Sequence, residues 1–415
     1  MKKLVREVGP WVDKERFWNR EEELENLIEL LDEGANIMIT APRRIGKTSL
    51  IREAGNRISD RFCCLQLDLQ KSNSHADVIT ELSVATRPHM KLWSKTKDVF
   101  KNIISTAAVS IDSLSNNDLT TKFRDALLSN WQNKGDRMIE AIATSEDPVI
   151  IFMDEFPLVI NRLLKGAEYK ITPERLKEAD TFLSWIRSIT IQYKGRIRIV
   201  LTGSIGLEPI LQQAGLSHTV NTFTPFELDP WDVKTAAGCL QALANNYKIL
   251  FREGAKERML KLIGSPIPHH VQIFFNYIYI DCKKRKNMEC RKEDADRIFK
   301  SRMLSVRGHA ELSTYEERLK MVLSNELLPL ALELLTEAAV TGRLTVKAAE
   351  ILRLDSDLDA KRSKEALREI IGILEHDGYL IKKKDAHVFV SNLVRDWWKA
   401  RFGFQYLPAA GRERR

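Results

Sequence analysis

Eight residues, Ala41-Pro42-Arg43-Arg44-Ile45-Gly46-Lys47-Thr48, constrain the fold of this 415-residue chain more than any other stretch. Before them stands Asn36-Ile37-Met38-Ile39-Thr40, a short apolar run that reads as a buried strand, and after them Ser49 to Ile58 reads as a helix. Phe62-Cys63-Cys64-Leu65-Gln66-Leu67-Asp68 reads as a second strand. Strand, tight loop, helix and strand make the first crossover of a parallel sheet, so the expected class is α/β.

The loop has the G-x-x-x-x-G-K-[ST] spacing, with Ala41 in the first glycine's place. Such a loop turns backbone N–H groups toward phosphate at a helix N-terminus, where unpaired amides and the helix dipole favour negative charge. Gly46 permits close approach, Lys47 brings positive charge to the β and γ oxygens, and the Thr48 hydroxyl suits Mg²⁺, an oxygen-seeking ion. With Ser49 opening the helix, residues 41–49 form the candidate triphosphate cradle. A second motif agrees with this. Asp154-Glu155 follows the apolar run Val149 to Met153, so two carboxylates emerge at the C-terminal end of a strand, where open α/β sheets bind ligands. Asp154 is the expected holder of hydrated magnesium, and Glu155 the residue that orients or activates the attacking water. ATP and Mg²⁺ are therefore the expected cofactors. Thr202-Gly203-Ser204 ends a further strand, Ile197 to Leu201, and leaves two readings of Ser204: a polar sensor of the γ-phosphate, or an N-cap of the next helix.

The pattern divides the chain into a P-loop ATPase core over 10–229, a helical lid over 230–310, a winged-helix domain over 311–405 and a tail over 406–415. A helix from Pro173 to Tyr193 separates two of the core strands. His75 to Glu146 reads as a mostly helical insertion without an assigned role. Beyond Pro230 helical periodicity takes over, and Leu327 to Ala338, Val346 to Leu352, Lys361 to Glu375 and a hairpin around Tyr379–Val390 give helix, helix, helix, hairpin.

Composition excludes several classes. Hydrophobic residues make up 44% and charged residues 29%, which is ordinary for a globular protein and unlike a disordered or fibrous one. Five cysteines, two of them adjacent at Cys63 and Cys64, form neither a disulfide framework nor a CxxC metal pattern, and suit a reducing compartment. The start has no apolar stretch after its charges, and no run of about eighteen apolar residues occurs. A cytoplasmic protein with no membrane partner is expected. A net charge of +8 favours encounters with polyanions without naming one.

Taken together, Phe17-Trp18-Asn19-Arg20-Glu21-Glu22-Glu23-Leu24, Pro42 to Leu50, Asp154-Glu155, Gly203-Ser204 and Phe226-Glu227-Leu228 resemble the prokaryotic, archaeal-type P-loop ATPases of the AAA+/STAND group. The likeness covers most of the chain. It implies that Arg20 borders the nucleotide, that Ser204 is sensor 1, and that a winged helix closes the chain. Asn19 stands where that family has Gly, and Arg20 read by itself could equally pair with a carboxylate. Gly264-Ser265-Pro266 is similar to the lid signature of STAND proteins and would bring His269 or His270 toward the nucleotide. Many AAA+ rings carry an arginine finger after sensor 1, worth about 10³ to 10⁵ in rate. From Ile199 to Phe251 this chain has no arginine, and His218 occupies that region. Arg187 and Arg196 are the in-chain candidates, with Arg43 and Arg44 as further ones.

Partners follow from the C-terminal module. Lys361, Arg362, Lys364 and Arg368 on the third helix and Lys382, Lys383 and Lys384 on the wing suit DNA, although Glu365, Glu369, Glu375 and Asp377 mix the charge. The competing reading is a protein-contact module, with Trp397, Trp398, Phe402 and Phe404 as core or contact aromatics. The basic cluster Lys283-Lys284-Arg285-Lys286 with Arg291 and Lys292 reads as a solvated helix end or a second nucleic-acid contact. The functional expectations are an ATP-driven switch, a DNA-binding ATPase acting in replication, transposition or defence, or a nucleotide-dependent regulatory subunit that assembles with a separate effector protein or with copies of itself.

Overall fold

A computed structural model describes residues 4–6, 9, 12, 14–104, 130–166, 170–304 and 309–412. The expected helical insertion over His75–Glu146 includes 105–129, which lie outside the described residues, as does the side chain of Lys361. By its internal contacts the chain forms two units: residues 20–40 with 50–227, and residues 1–19 with 41–49 and 228–415.

The first unit is built on five parallel strands, β1 (Asn36–Thr40), β2 (Cys63–Asp68), β3 (Val149–Asp154), β4 (Ile197–Thr202) and β5 (Phe223–Glu227), in the order β2-β3-β4-β1-β5. β4 is buried along its whole length and β3 along all but its last residue, as expected of central strands covered on both faces. β5 escaped the sequence reading. It carries exposed Thr224, Pro225 and Glu227, a pattern too polar for a buried run, and Pro225 is tolerated because β5 is an edge strand.

Helices α1 (Glu21–Asp32), α2 (Lys47–Arg57), α3 (His75–Ala85), α4 (Met90–Ile104), α5 (Trp131–Ala143), α6 (Phe156–Lys165), α7 (Pro173–Gln192) and α8 (Leu207–Ala214) connect these strands. Leu24, Leu27 and Leu31 form the buried stripe of α1, and the chain turns away at Gly34, whose φ of 92° suits glycine. α3 starts with a reciprocal cap, Ser74 accepting from Asp77 N while the Asp77 carboxylate accepts from Ser74 N. Rings of His75, Trp131, Phe182 and Trp185 pack α3, α5 and α7 together, with His75 and Trp131 centroids 4.4 Å apart.

In the second unit α9 (Val233–Tyr247), α10 (Ala255–Ile263), α11 (Pro268–Arg285) and α12 (Lys292–Ile298) form a helical group. It is crossed by the short parallel pair β6 (Leu250–Phe251) and β7 (Glu289–Cys290). There follow α13 (His309–Val322), α14 (Leu328–Thr341), β8 (Leu344–Thr345), α15 (Val346–Leu354), α16 (Ala360–His376), β9 (Leu380–Lys383), β10 (Ala386–Phe389) and α17 (Asn392–Phe402). β8, β10 and β9 make a three-stranded antiparallel sheet in that order. Trp397 and Trp398 are fully buried, and the Trp398 indole N–H donates to Thr336 Oγ1 at 3.2 Å, so these aromatics are core. Phe404 is 84% exposed.

Residues 406–412, within the expected tail, are anchored by hydrogen bonds and ion pairs. Buried Glu337 on α14 accepts from the Tyr406 hydroxyl at 2.9 Å and from Ala409 N at 3.0 Å, and Arg412 pairs with Glu333 and Asp355. The polar sequence there is held by a buried acceptor that composition does not reveal. Residues 413–415 lie outside the described residues. Among the described residues no helix is long and apolar enough to cross a membrane.

Candidate functional site

The Gly-Lys-Thr loop leaves β1 at Thr40 and enters α2 at Lys47. Gly46 takes a φ of 104°, a conformation only glycine adopts at little cost, and Arg44 before it also has positive φ, at 67°. Ile45 is buried and anchors the loop, while Lys47 is 7% exposed. The Lys47 ammonium donates to the carbonyls of Ala41 at 2.6 Å and Pro42 at 2.9 Å, so it lies along the inside of its own loop. Ser49 is buried, and its hydroxyl accepts from Val12 N at 3.0 Å.

Across the sheet unit, Asp154 ends β3 in register with Asp68 at the end of β2. The next residue, Glu155, is the N-cap of α6 and has a φ of 61°, left-handed backbone that a non-glycine residue enters at a cost of about 1–3 kcal/mol. Its carboxylate is held from the neighbouring strand: Glu155 Oε2 accepts from Ser204 N at 3.1 Å and from the Ser204 hydroxyl. Hydrogen bonds to a charged acceptor contribute about 1.5–3 kcal/mol, enough to offset much of that backbone cost. Ser204 does not cap the following helix, because Gly206 is the N-cap of α8 and makes no side-chain cap.

Two residues without a role in the sequence reading make this contact possible. A Cβ on Gly203 would stand 2.5 Å from Pro157 Cδ and 2.8 Å from its Cγ, so the end of β4 lies directly on the first turn of α6. Pro157, near the start of α6, is rigid there and gives up no backbone bond. The available signal was the pairing of Asp154-Glu155-Phe156-Pro157 with Thr202-Gly203-Ser204, two strand ends that each turn into a helix.

Other expected site residues fall elsewhere. Arg187 on α7 donates to Asn221 Oδ1 at 3.1 Å, just before β5. Arg196 precedes β4 and donates to the carbonyls of Ala143 and Ser145. Both therefore sit toward the amino ends of parallel strands, and β4, six residues at about 3.3 Å each, separates Arg196 from Ser204 by roughly 20 Å. They therefore lie at the opposite end of the strands from Glu155. Arg20 is 6% exposed, has a φ of 75° and pairs with Glu23 at 2.5 Å. Asn19 has a φ of 57°, so it takes the left-handed backbone for which a glycine would serve equally well. His270 is buried, and it lines a small cavity with His269, Arg44 and Tyr315.

Among the described residues, no group of three or more His, Cys, Asp or Glu side chains gathers as a metal cage. Taken singly, the Thr48 hydroxyl and the Asp154 carboxylate are oxygen donors of the kind magnesium takes, an ion that uses one or two protein oxygens and fills its remaining positions with water and phosphate.

Five parallel strands in this order, a Gly-Lys-Thr loop after β1 and an Asp-Glu pair after β3 define the fold as that of an AAA+-type P-loop ATPase. Solved structures agree. The Walker-type ATPase PABY2304 of Pyrococcus abyssi matches with a TM-score of 0.58 at 15% identity, over 95% of this chain and 99% of that one. The ORC2 protein of Aeropyrum pernix, solved as ADPNP-ADP complexes, matches with a TM-score of 0.52 at 12% identity, over 94% of this chain and 98% of that one. At these identities the likeness is one of fold. No protein-family model matches the chain, and no curated protein matches its sequence.

Proposed function

We propose that the chain binds ATP with magnesium on the loop 41–49 and hydrolyses it, Glu155 orienting the attacking water and Ser204 fixing Glu155. The observation that carries this reading is the Glu155–Ser204 bond beside Asp154, in a sheet whose β1 runs into the Gly-Lys-Thr loop. A carboxylate held at a strand's carboxyl end by the adjacent strand is set up to position water, since in phosphoryl transfer the protein contributes mainly orientation and electrostatics. Lys47 and the loop amides stabilise phosphate charge, and Thr48 with Asp154 supply the metal's protein oxygens. Magnesium, when bound, draws charge from the phosphate oxygens. The solved ADPNP-ADP complexes of the A. pernix protein support nucleotide as the ligand of this fold. Arg20 borders the nucleotide on the adenine side, through the segment preceding α1.

The output is a switch: ATP and ADP favour different arrangements of the helical lid, 230–310, and the winged helix, 311–405, which present different surfaces to an effector protein or to another copy of the chain. With no arginine from Ile199 to Phe251, either basal hydrolysis is slow or an arginine reaches the phosphate from elsewhere. Glu155→Gln should bind ATP with unchanged affinity and hydrolyse it poorly; wild-type turnover in that variant rejects the role given to Glu155.

A second reading, duplex DNA as the partner of the winged helix, rests on exposed Arg362, Lys364 and Arg368 of α16 with Lys382, Lys383 and Lys384 of the wing. It predicts binding that weakens steeply with salt. ATP-loaded protein without duplex affinity at low salt rejects it.

A further inference from the structure

We propose that the carboxyl ends of α9 and α11 form a polyanion surface, separate from the winged helix, which holds the phosphate backbone of a nucleic acid. The inference does not depend on the nucleotide reading. It takes up Lys283-Lys284-Arg285-Lys286, which the sequence leaves open between a solvated helix end and a nucleic-acid contact.

Arginines take up the acids Asp281, Asp294 and Glu289 and leave the lysines over. Asp281 pairs with Arg285 and with Arg297, each at 2.7 Å, and Asp294 pairs with the same two arginines at 3.4 Å and 3.0 Å. Glu289 pairs with Arg252 and, at 3.8 Å, with Arg291. Lys248, Lys283, Lys284 and Lys286 are exposed, and none of them has a carboxylate at ion-pair distance among the described residues. They lie together, because Lys248 ends α9 just before Leu250, whose N–H donates to Met288 O at 2.8 Å, two residues beyond Lys286. Arg6 joins them. Its guanidinium lies over the Tyr279 ring at 4.4 Å and the Tyr247 ring at 5.4 Å and donates to Asn276 Oδ1, and Lys283 Nζ lies 5.4 Å from the same Tyr279 ring. Arg6 and the lysines therefore gather positive charge on one surface with no counter-charge among the described residues.

A solvated helix end does not account for this arrangement. Lysine complements free carbonyls at a helix C-terminus, but the last carbonyls of α11 are bonded by backbone, Lys286 N donating to Lys283 O and Asn287 N to Cys282 O, both at 3.1 Å. Lys248 and Lys286 close α9 and α11 in left-handed backbone, with φ of 56° and 54°, where glycine or asparagine sits at less cost. Strain kept for a lysine points to use of its charge. Other partners fit less well. Lysine is depleted from protein interfaces, whereas it binds phosphate as a point charge. α11 turns Val271, Phe274, Phe275 and Ile278 inward, and the large apolar side chains exposed here among the described residues are Ile280 and Leu250, which do not make the apolar face of a membrane-surface helix.

The test separates the place of the charge from its amount. A variant carrying Lys248→Gln, Lys283→Gln, Lys284→Gln and Lys286→Gln is compared with one carrying Lys170→Gln, Lys177→Gln, Lys194→Gln and Lys234→Gln, each removing the same number of charges from the net +8. Binding of a short DNA duplex of arbitrary sequence to the full chain is followed by fluorescence anisotropy over a range of salt. Four phosphate contacts give a slope of about −3.6 in log K against log salt, or about 10²-fold in affinity between about 50 and 200 mM. The first variant should lose that part of the slope, and the second should keep the wild-type slope. Equal slopes in the two variants overturn the proposal, and so does a wild type that binds no duplex at low salt. A third variant, with Lys382→Gln, Lys383→Gln and Lys384→Gln, tells the two surfaces apart: if it loses binding while the first variant keeps the wild-type slope, the winged-helix reading stands and this one fails. Vesicles of phosphatidylserine and phosphatidylcholine are run alongside, and wild type that binds them but not the duplex assigns the surface to lipid and overturns the nucleic-acid proposal. Should the first variant not fold, acetylation of the wild type decides: duplex should slow modification of Lys248, Lys283, Lys284 and Lys286, and unchanged rates overturn the proposal.

Discussion

Replacing Gly203 by alanine tests how the Glu155 carboxylate is positioned. In the wild type the end of β4 lies on Pro157, and an added Cβ would stand 2.5 Å from Pro157 Cδ, 2.8 Å from its Cγ and 3.6 Å from Glu155 Cα. Carbon atoms settle at about 3.5–4.0 Å, so the two segments must separate by about 1 Å. Proline in the first turn of α6 cannot swing aside as a flexible chain end would, and Gly203 itself is buried. Overpacking of this kind costs about 1–3 kcal/mol of stability. The larger effect falls on chemistry. Ser204 follows Gly203 directly, so its N–H and hydroxyl move off Glu155 Oε2 by a similar distance, and misplacement of about 1 Å in a positioned group costs on the order of 10²-fold in rate. Gly203→Ala should therefore keep its affinity for ATP, measured by calorimetry, and lose on the order of 10²-fold in single-turnover hydrolysis. Hydrolysis at the wild-type rate in a folded variant refutes the claim that Ser204 positions Glu155. Loss of affinity with an unchanged rate refutes it too.

Two further outcomes concern stability. His75 is packed against Trp131 and Phe182, and burial lowers its pKa below the usual value despite Glu178 at 3.2 Å. A depressed folded pKa means the unfolded chain takes up the proton first, so stability present above about pH 6.5 declines as pH falls below it; His75→Phe should flatten that decline in urea titrations between about pH 7 and 5. Glu337→Ala removes the acceptor shared by Tyr406 and Ala409 N, leaves a buried donor unpaired, and should lower stability by about 1–3 kcal/mol while opening residues 406–412 to carboxypeptidase; full resistance would show that other contacts hold this segment.

The sequence was informative where local chemistry is strong. The β1–loop–α2 unit is visible because an apolar run, a Gly-Lys-Thr turn and a helical pattern adjoin, and β3 and β4 are visible because central strands are almost uninterrupted in Val, Ile, Leu, Phe and Met. β5 was missed because its exposed residues and proline belong to an edge. The carboxylate pair after β3 could be read, but the Ser204–Glu155 bond depends on a contact between residues 49 positions apart, which no local pattern encodes. Arg187 and Arg196 were plausible by residue type; the direction of the strands puts them at the end of the sheet opposite Glu155. The anchoring of residues 406–412 within the expected tail left no local sign, because its acceptor Glu337 stands on α14, 69 positions before Tyr406.

Calorimetric titration of the full chain with ATP and magnesium, alongside Lys47→Ala, tests the central claim most directly. The account predicts saturable heat at one site in the wild type and none in the variant under the same conditions. A folded wild type that produces no heat of binding, or a Lys47→Ala variant that binds as tightly, contradicts it.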